Sequence, residues 1–167
     1  GGTEYLDTNY NPFTQGVNFI QNSSGFGCYC RTEQQGIAID IGQIEVATSA
    51  GTQIFARYVD DRFYVRNNSD GLVSSANLSS IGFFSSIRTS NLNVESYKNG
   101  ALQSSGNVAS QAPLNFNFYI LGANRAGALN NASNKQNSFS FIGSGSINQS
   151  ALYTRVQNYL TDLGAQV

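Results

Sequence analysis

Short runs of alternating apolar and polar side chains make up most of this chain, and clusters of Gly, Asn and Ser separate them. Period-two alternation is the signature of strands with one buried face. Residues 24–32 give a clear case: Phe26, Cys28 and Cys30 share one face, while Tyr29 and Arg31 share the other. Residues 17–20 read as a first short strand, and residues 37–46 as one or two strands around Gly42. Residues 54–67 read as a hairpin with Asp60-Asp61 at its tip, since Asp accepts the left-handed turn conformation better than most residues. Its second arm is expected to turn Phe63 and Val65 inward and Tyr64 and Arg66 outward. Another strand covers residues 81–88, and residues 93–105 form a hairpin around Asn99-Gly100, the strongest short-range hairpin signal. Residues 116–123 and 138–143 complete the strands, and residues 127–137 read as a long loop.

Only the C-terminus changes period. Leu152, Val156, Leu160 and Leu163 recur at helical spacing, with Asn148 or Ser150 placed to cap the N-terminus and Gly164 where a helix stops. The pattern predicts an all-β, two-sheet antiparallel sandwich, with one C-terminal α-helix sealing one end of it. No internal repeat or boundary divides the chain. Residues 1–167 are read as one domain, expected to be the C-terminal part of a longer protein; the Gly1-Gly2 start without Met reads either as an expression scar or as a fragment cut from a longer protein.

Composition narrows the function. Nine basic and ten acidic residues leave a net charge of −1, so the basic stripe that nucleic-acid binding needs is missing. Asn, Ser and Gln supply about a third of the residues. Such side chains suit turns and a weakly charged surface, and they are also the donors and acceptors a sugar requires. Cys28 and Cys30 point to one strand face, too far apart for an easy bridge, and read as two buried thiols, which favours folding in the cytosol. No apolar run is long enough to span a membrane as a helix, and no signal peptide is evident.

Three stretches carry a resemblance. The first is Asn18-Phe19-Ile20-Gln21-Asn22-Ser23-Ser24-Gly25-Phe26-Gly27-Cys28-Tyr29-Cys30-Arg31-Thr32. The second is Ser96-Tyr97-Lys98-Asn99-Gly100, followed by Tyr119-Ile120-Leu121-Gly122-Ala123-Asn124-Arg125. The third runs from Phe139 to Gly145, continues through Ala151-Leu152-Tyr153-Thr154-Arg155-Val156-Gln157, and ends Leu163-Gly164-Ala165-Gln166-Val167. In order and spacing these resemble the concanavalin A-like, laminin-G-like jelly-roll domains of structural proteins in tailed bacteriophages and prophages. The resemblance implies a lectin-like jelly roll engaged in carbohydrate binding or host recognition. It also implies a virion appendage (a tail fibre, spike or capsid decoration) whose partners are a surface glycan or polysaccharide and other virion proteins. Such a protein would be assembled in the bacterial cytoplasm, in keeping with unpaired cysteines, and would act outside the cell.

Catalytic arrangements fail on residue type. The run Ala38-Ile39-Asp40-Ile41-Gly42 is superficially similar to the Glu-x-Asp-x-x-Glu strand of retaining glucanases, but Ala38 and Gln43 stand where the glutamates belong. A retaining glycosidase needs two carboxyls about 5–5.5 Å apart, and this strand cannot supply them. Without His, neither Ser-His-Asp nor Cys-His units can form, so the chain is expected to be no enzyme. Asp60-Asp61 admits two readings, a solvated hairpin tip or a pair of Ca²⁺ ligands; no other cofactor is expected. The sequons at Asn22, Asn67, Asn77, Asn131 and Asn148 carry little information in a chain so rich in Asn and Ser. The remaining chemistry is binding. Tyr29, Arg31, Arg57, Tyr64, Arg66 and Arg125 occupy outward strand positions, with Asn124, Asn130 and Asn131 beside them in loops. Tyr rings stack on the apolar face of a pyranose and Arg forks bond hydroxyls or carboxylates, although the same residues also serve as ordinary cross-strand partners. A purely structural decoration or oligomerisation domain without glycan binding is the alternative.

Overall fold

In the computed structural model, residues 2–48 and 50–165 are described. Their elements run in chain order as β1 (Leu6–Asp7), a single-turn helix α1 (Pro12–Gln15), β2 (Ser24–Cys30), β3 (Ile41–Ile44), β4 (Gly51–Phe55), β5 (Arg62–Ser69) and β6 (Val73–Ala76). They continue with β7 (Gly82–Arg88), β8 (Asn93–Lys98), β9 (Ala101–Asn107), β10 (Tyr119–Ile120), β11 (Ala123–Arg125), β12 (Ala128–Asn130), β13 (Asn137–Gly143) and α2 (Gln149–Asp162). The strands form two sheets. One has the order β1-β10-β3-β4-β5-β6, with β11 also joined to β3 and β12 to β11; the other has the order β13-β2-β7-β8-β9. Pairing is antiparallel throughout except for the short parallel contact of β11 with β3. The chain is thus a two-sheet, jelly-roll-like sandwich with a C-terminal helix; the alternating pattern predicts the sandwich and the helix, and the jelly roll is what the resemblance implies.

The core between the sheets takes one face of each strand. Phe26, Cys28 and Cys30 of β2 meet Ile41, Ile54, Phe63, Val65 and Phe84, all fully buried. Cys28 and Cys30 are free and buried, with Sγ atoms 3.8 Å apart. Burial and the neighbouring thiol raise the Cys30 pKa well above its ordinary value, the Cys28 hydrogen bond most of all. Both buried side chains pack as small apolar fillers in the core.

Several expectations are corrected. Residues 17–20 make no strand, and only an isolated bridge joins Ile20 to Ser23. Strand β6 had no clear alternating signal. The segment expected to be a long loop opens with the β11–β12 hairpin, whose tip Ala126-Gly127 takes positive φ at both positions. The helix does not seal an end of the sandwich. Its Val156 and Leu160 lie on the outer face of the five-stranded sheet, over Tyr29 and Phe83, with Phe139, Phe141 and Tyr153 packed around them. By contrast, Asn99-Gly100 turns as expected (φ 53° and 77°).

Asn148 is the helix cap, accepting from the Ala151 N–H at 2.9 Å. Replacing a capping Asn by Ala costs about 1 kcal/mol. Asn148→Ala should lower stability by that amount in urea denaturation, whereas Ser150→Ala, one residue inside the helix, should leave it nearly unchanged. No helix among the described residues is long and apolar enough to cross a membrane.

Candidate functional site

The outer face of the larger sheet carries a second apolar cluster, Ile39, Ile44, Phe55 and Ala123, with Tyr58 and Tyr64 packed against it. Alternation explains why it is there. Ile54 turns into the core, so Phe55 must turn out; on β5, Phe63 and Val65 turn in, so Tyr64 and Arg66 turn out. Register then assembles the site, because Phe55 lies opposite Tyr64 and Gln53 opposite Arg66.

Where this cluster reaches solvent it forms a groove of about 210 Å³ lined by Phe55, Tyr58, Tyr64, Arg66 and Leu72. Tyr58 stands edge-on to both neighbours. Its ring centroid is 5.5 Å from that of Phe55 at 89°, and 5.5 Å from that of Tyr64 at 81°. Hydrogen bonds fix the polar groups. Tyr64 Oη donates to Asp60 Oδ2 (2.7 Å), and this bond raises the phenol pKa, so it stays protonated at neutral pH. Arg62 lies over the Tyr64 ring at 5.9 Å. Arg66 donates from Nε to the Asp70 carbonyl (3.1 Å) and from Nη1 to Gln53 Oε1 (3.4 Å). Burial lowers the Arg66 pKa, and Asp70 offsets part of that effect. The result is a half-buried cation beside a three-ring wall, suited to a planar or ring-shaped polar ligand.

The other expected residues lie elsewhere. Tyr29 is not exposed: at 1% exposure it sits beneath α2, stacked on Phe83. Its face is the outward one, but the helix covers that face. Asn124 is also buried, its Oδ1 accepting from the Gly127 N–H (2.7 Å) to brace the β11–β12 turn. Arg31 follows β2 and is half-buried on the smaller sheet. Arg57 pairs with Asp61 (2.8 Å) and Glu33 (3.4 Å). Arg125 donates to the Val46 carbonyl (2.6 Å). Asn130 pairs within the hairpin, opposite Ala123, and Asn131 follows it at positive φ. Of the expected set, the groove brings together Tyr64 and Arg66 alone.

The Asp60-Asp61 pair is already engaged, Asp60 by Tyr64 and Asp61 by Arg57 and by Gln35 Nε2 (2.9 Å). Among the described residues no three His, Cys, Asp or Glu side chains gather as a metal cluster would require. Asp40, the residue in the glucanase-like run, is fully buried and holds Lys135 Nζ at 2.8 Å. Phe55, Tyr58 and Leu72 are groove residues not singled out in the sequence, although the outward parity of Phe55 is legible in the hairpin pattern. No family model matches this chain, and no curated protein matches it either.

Proposed function

We propose that this chain is a non-catalytic carbohydrate-binding domain that engages a surface glycan through the Phe55/Tyr58/Tyr64/Arg66 groove. The observation that carries the reading is the groove itself: three aromatic rings and one half-buried guanidinium, on a rigid sheet, with space for one sugar ring. Aromatic faces take the apolar side of a pyranose, and the guanidinium takes hydroxyls or a carboxylate. A cationic ligand is disfavoured beside Arg66. The setting we propose is a phage virion appendage, with other virion proteins as further partners. The motif resemblance supports that setting, and so do the two free buried thiols, which fit assembly in a reducing cytoplasm.

A second reading, a structural decoration or oligomerisation domain, draws on a different feature. Phe13 and Val17 are 59% and 84% exposed, and Phe13 and Ile20 border one shallow cleft with Pro12 and Pro113. Exposed apolar clusters are common protein-contact surfaces.

A glycan array that includes bacterial surface polysaccharides, probed with and without Ca²⁺, separates the two. The binding reading predicts a specific hit that weakens about tenfold or more in Tyr64→Ala and Arg66→Ala, since Tyr and Arg dominate binding hot spots. Tyr29→Phe should bind as the parent does. A blank array with folded protein, together with self-association in light scattering, would move the assignment to the structural reading.

A further inference from the structure

Strand β5 brings more positive charge to the outer face than the aromatic groove encloses. Alternation turns Arg62, Tyr64 and Arg66 outward in one row, each of them half-buried, while Phe63 and Val65 between them enter the core. At about 3.3 Å per residue, the two arginine positions stand about 13 Å apart with Tyr64 midway. Arg66 borders the groove, and Arg62 extends the row beyond it, over the Tyr64 ring.

An outward Arg on an antiparallel sheet gains from a carboxylate directly across the strands, and register supplies none here. Arg62 lies opposite Ala76, Tyr64 lies between Phe55 and Ser74, and Arg66 lies opposite Gln53. Arg57 makes the contrast, because it is paired with both Asp61 and Glu33. No carboxylate among the described residues comes within 4.0 Å of Arg62 or Arg66. The acids nearby are engaged or turned to water. Asp60 accepts from Tyr64 Oη and Asp61 from Arg57. Asp70 gives Arg66 its backbone carbonyl, while its side chain is exposed and open to screening. Its pull on Arg66 is outweighed by burial, which leaves the Arg66 pKa lowered.

Donor capacity is also left over. A guanidinium has five N–H groups. Arg66 bonds through Nε and Nη1; its Nη2 has no partner among the described residues and is not buried. Arg62 directs both Nε and Nη2 to Ser74 Oγ (3.1 and 2.8 Å), and its Nη1 is likewise accessible and unbonded. These bonds hold both forks in place and still leave N–H groups free. A half-buried cation without a counterion carries a desolvation cost that no ion pair offsets. A ligand carboxylate would offset it with charge-assisted, fork-shaped bonds.

Resting on the reading of the groove as a glycan site, we infer that its ligand is an acidic oligosaccharide, with one ring carboxylate seated at the Arg66 fork beside the aromatic wall and a second at Arg62. The two arginines stand farther apart than one pyranose can reach, so the ligand is a chain of uronate-type sugars rather than a single one.

The test is a calorimetric titration with a short oligogalacturonate, and with the same oligomer after its carboxyls have been reduced to primary alcohols. The acidic form should bind at least about tenfold more tightly, the weight of one charge-assisted bond, and added salt should narrow that ratio. In Arg66→Gln the ratio should fall toward one, and in Arg62→Gln part of the way. Arg155→Gln, on the exposed side of α2, removes the same charge and should leave the ratio unchanged. Urea denaturation verifies that each variant is folded, and the ratio in the parent decides the matter if one is not. Tyr64→Ala should weaken both forms, which reports on the groove itself. Equal binding of the two forms by the parent overturns the inference, and leaves the groove as a sugar site if Tyr64→Ala weakens both. A ratio that survives both groove-side Arg substitutions overturns it as well. So does binding of neither form, in which case an array hit on a neutral glycan, lost in Tyr64→Ala, would preserve the groove reading alone.

Discussion

Lys135→Met should destabilise the chain by about 3–5 kcal/mol at neutral pH, the usual cost of removing one partner from a buried ion pair. Lys135 and Asp40 have side-chain exposures of 1% and 0%, with Nζ 2.8 Å from Oδ1. Asp40 sits immediately before β3. Its Oδ2 accepts from the Ala56 N–H just after β4 (2.9 Å), and its Oδ1 also accepts from Ser133 Oγ (3.0 Å). One carboxylate thus ties the start of β3, the end of β4 and the loop before β13. Met matches the Lys stem in volume but leaves that carboxylate with only neutral donors. Adding Asp40→Asn removes the stranded charge while an amide oxygen can still accept from Ala56 or Ser133. The double variant should therefore recover a large part of the loss, and urea denaturation of the full mutant cycle measures it.

The pH dependence has a definite sign. Burial acts to lower the Lys135 pKa, but the Asp40 carboxylate more than offsets it, and the net shift is upward. A base whose folded pKa is raised lends stability that is complete below its unfolded pKa, about 10.4, and is lost as pH rises through the higher folded value. The parent chain should therefore weaken in strong alkali, and Lys135→Met should not show that component. In Lys135→Met, Asp40 is left as a buried carboxylate with only the neutral Ala56 and Ser133 donors. A deficit below about 1 kcal/mol would show that the pair is not a charge clamp.

Sequence pattern reached the sheets because alternation is a local property, and it failed where covering or satisfaction comes from far along the chain. The Tyr29 case separates the two. Period two places Tyr29 opposite Phe26, Cys28 and Cys30, which is correct, but it cannot say that a helix some 125 residues later lies over that face. Asn124 failed for a shorter-range reason. Its side chain braces the turn three residues on, and Ala126-Gly127 is a weaker hairpin signal than Asn-Gly. The groove was half legible. Tyr64 and Arg66 follow from parity on β5, whereas placing Phe55 and Gln53 across from them needs the β4–β5 register, which shifts between Gly51 and Gln53.

Arg88 had no signal at all, and its replacement should be as damaging as that of Lys135. It is 0% exposed at the end of β7, on the face that carries Phe84 and Ser86 into the sandwich. In place of a carboxylate it finds carbonyls: Nε donates to Asn67 (2.8 Å), and Nη1 donates to Val108 (2.9 Å) and Ser90 (3.2 Å). Around it, Ser24 Oγ donates to Asn67 Oδ1 (2.6 Å), and Thr52 Oγ1 to Asn68 Oδ1 (3.1 Å). This end of the sandwich is thus closed by a polar network rather than by apolar side chains. Burial brings the Arg88 pKa down to about 10, so the guanidinium remains charged at neutral pH. The backbone allows no slack nearby, because a Cβ at Gly145 would collide with the Arg88 carbonyl oxygen. Arg88→Ala removes three bonds, strands their acceptors and opens a cavity, and should cost about 3–5 kcal/mol. Arg88→Met separates the contributions. It fills the space and removes the uncompensated charge but bonds none of the carbonyls. If the fork to Asn67, Ser90 and Val108 is what stabilises this end, Met should recover less than half of the Ala loss in urea denaturation. A Met variant as stable as the parent would mean that the fork does no more than offset the desolvation of its own charge.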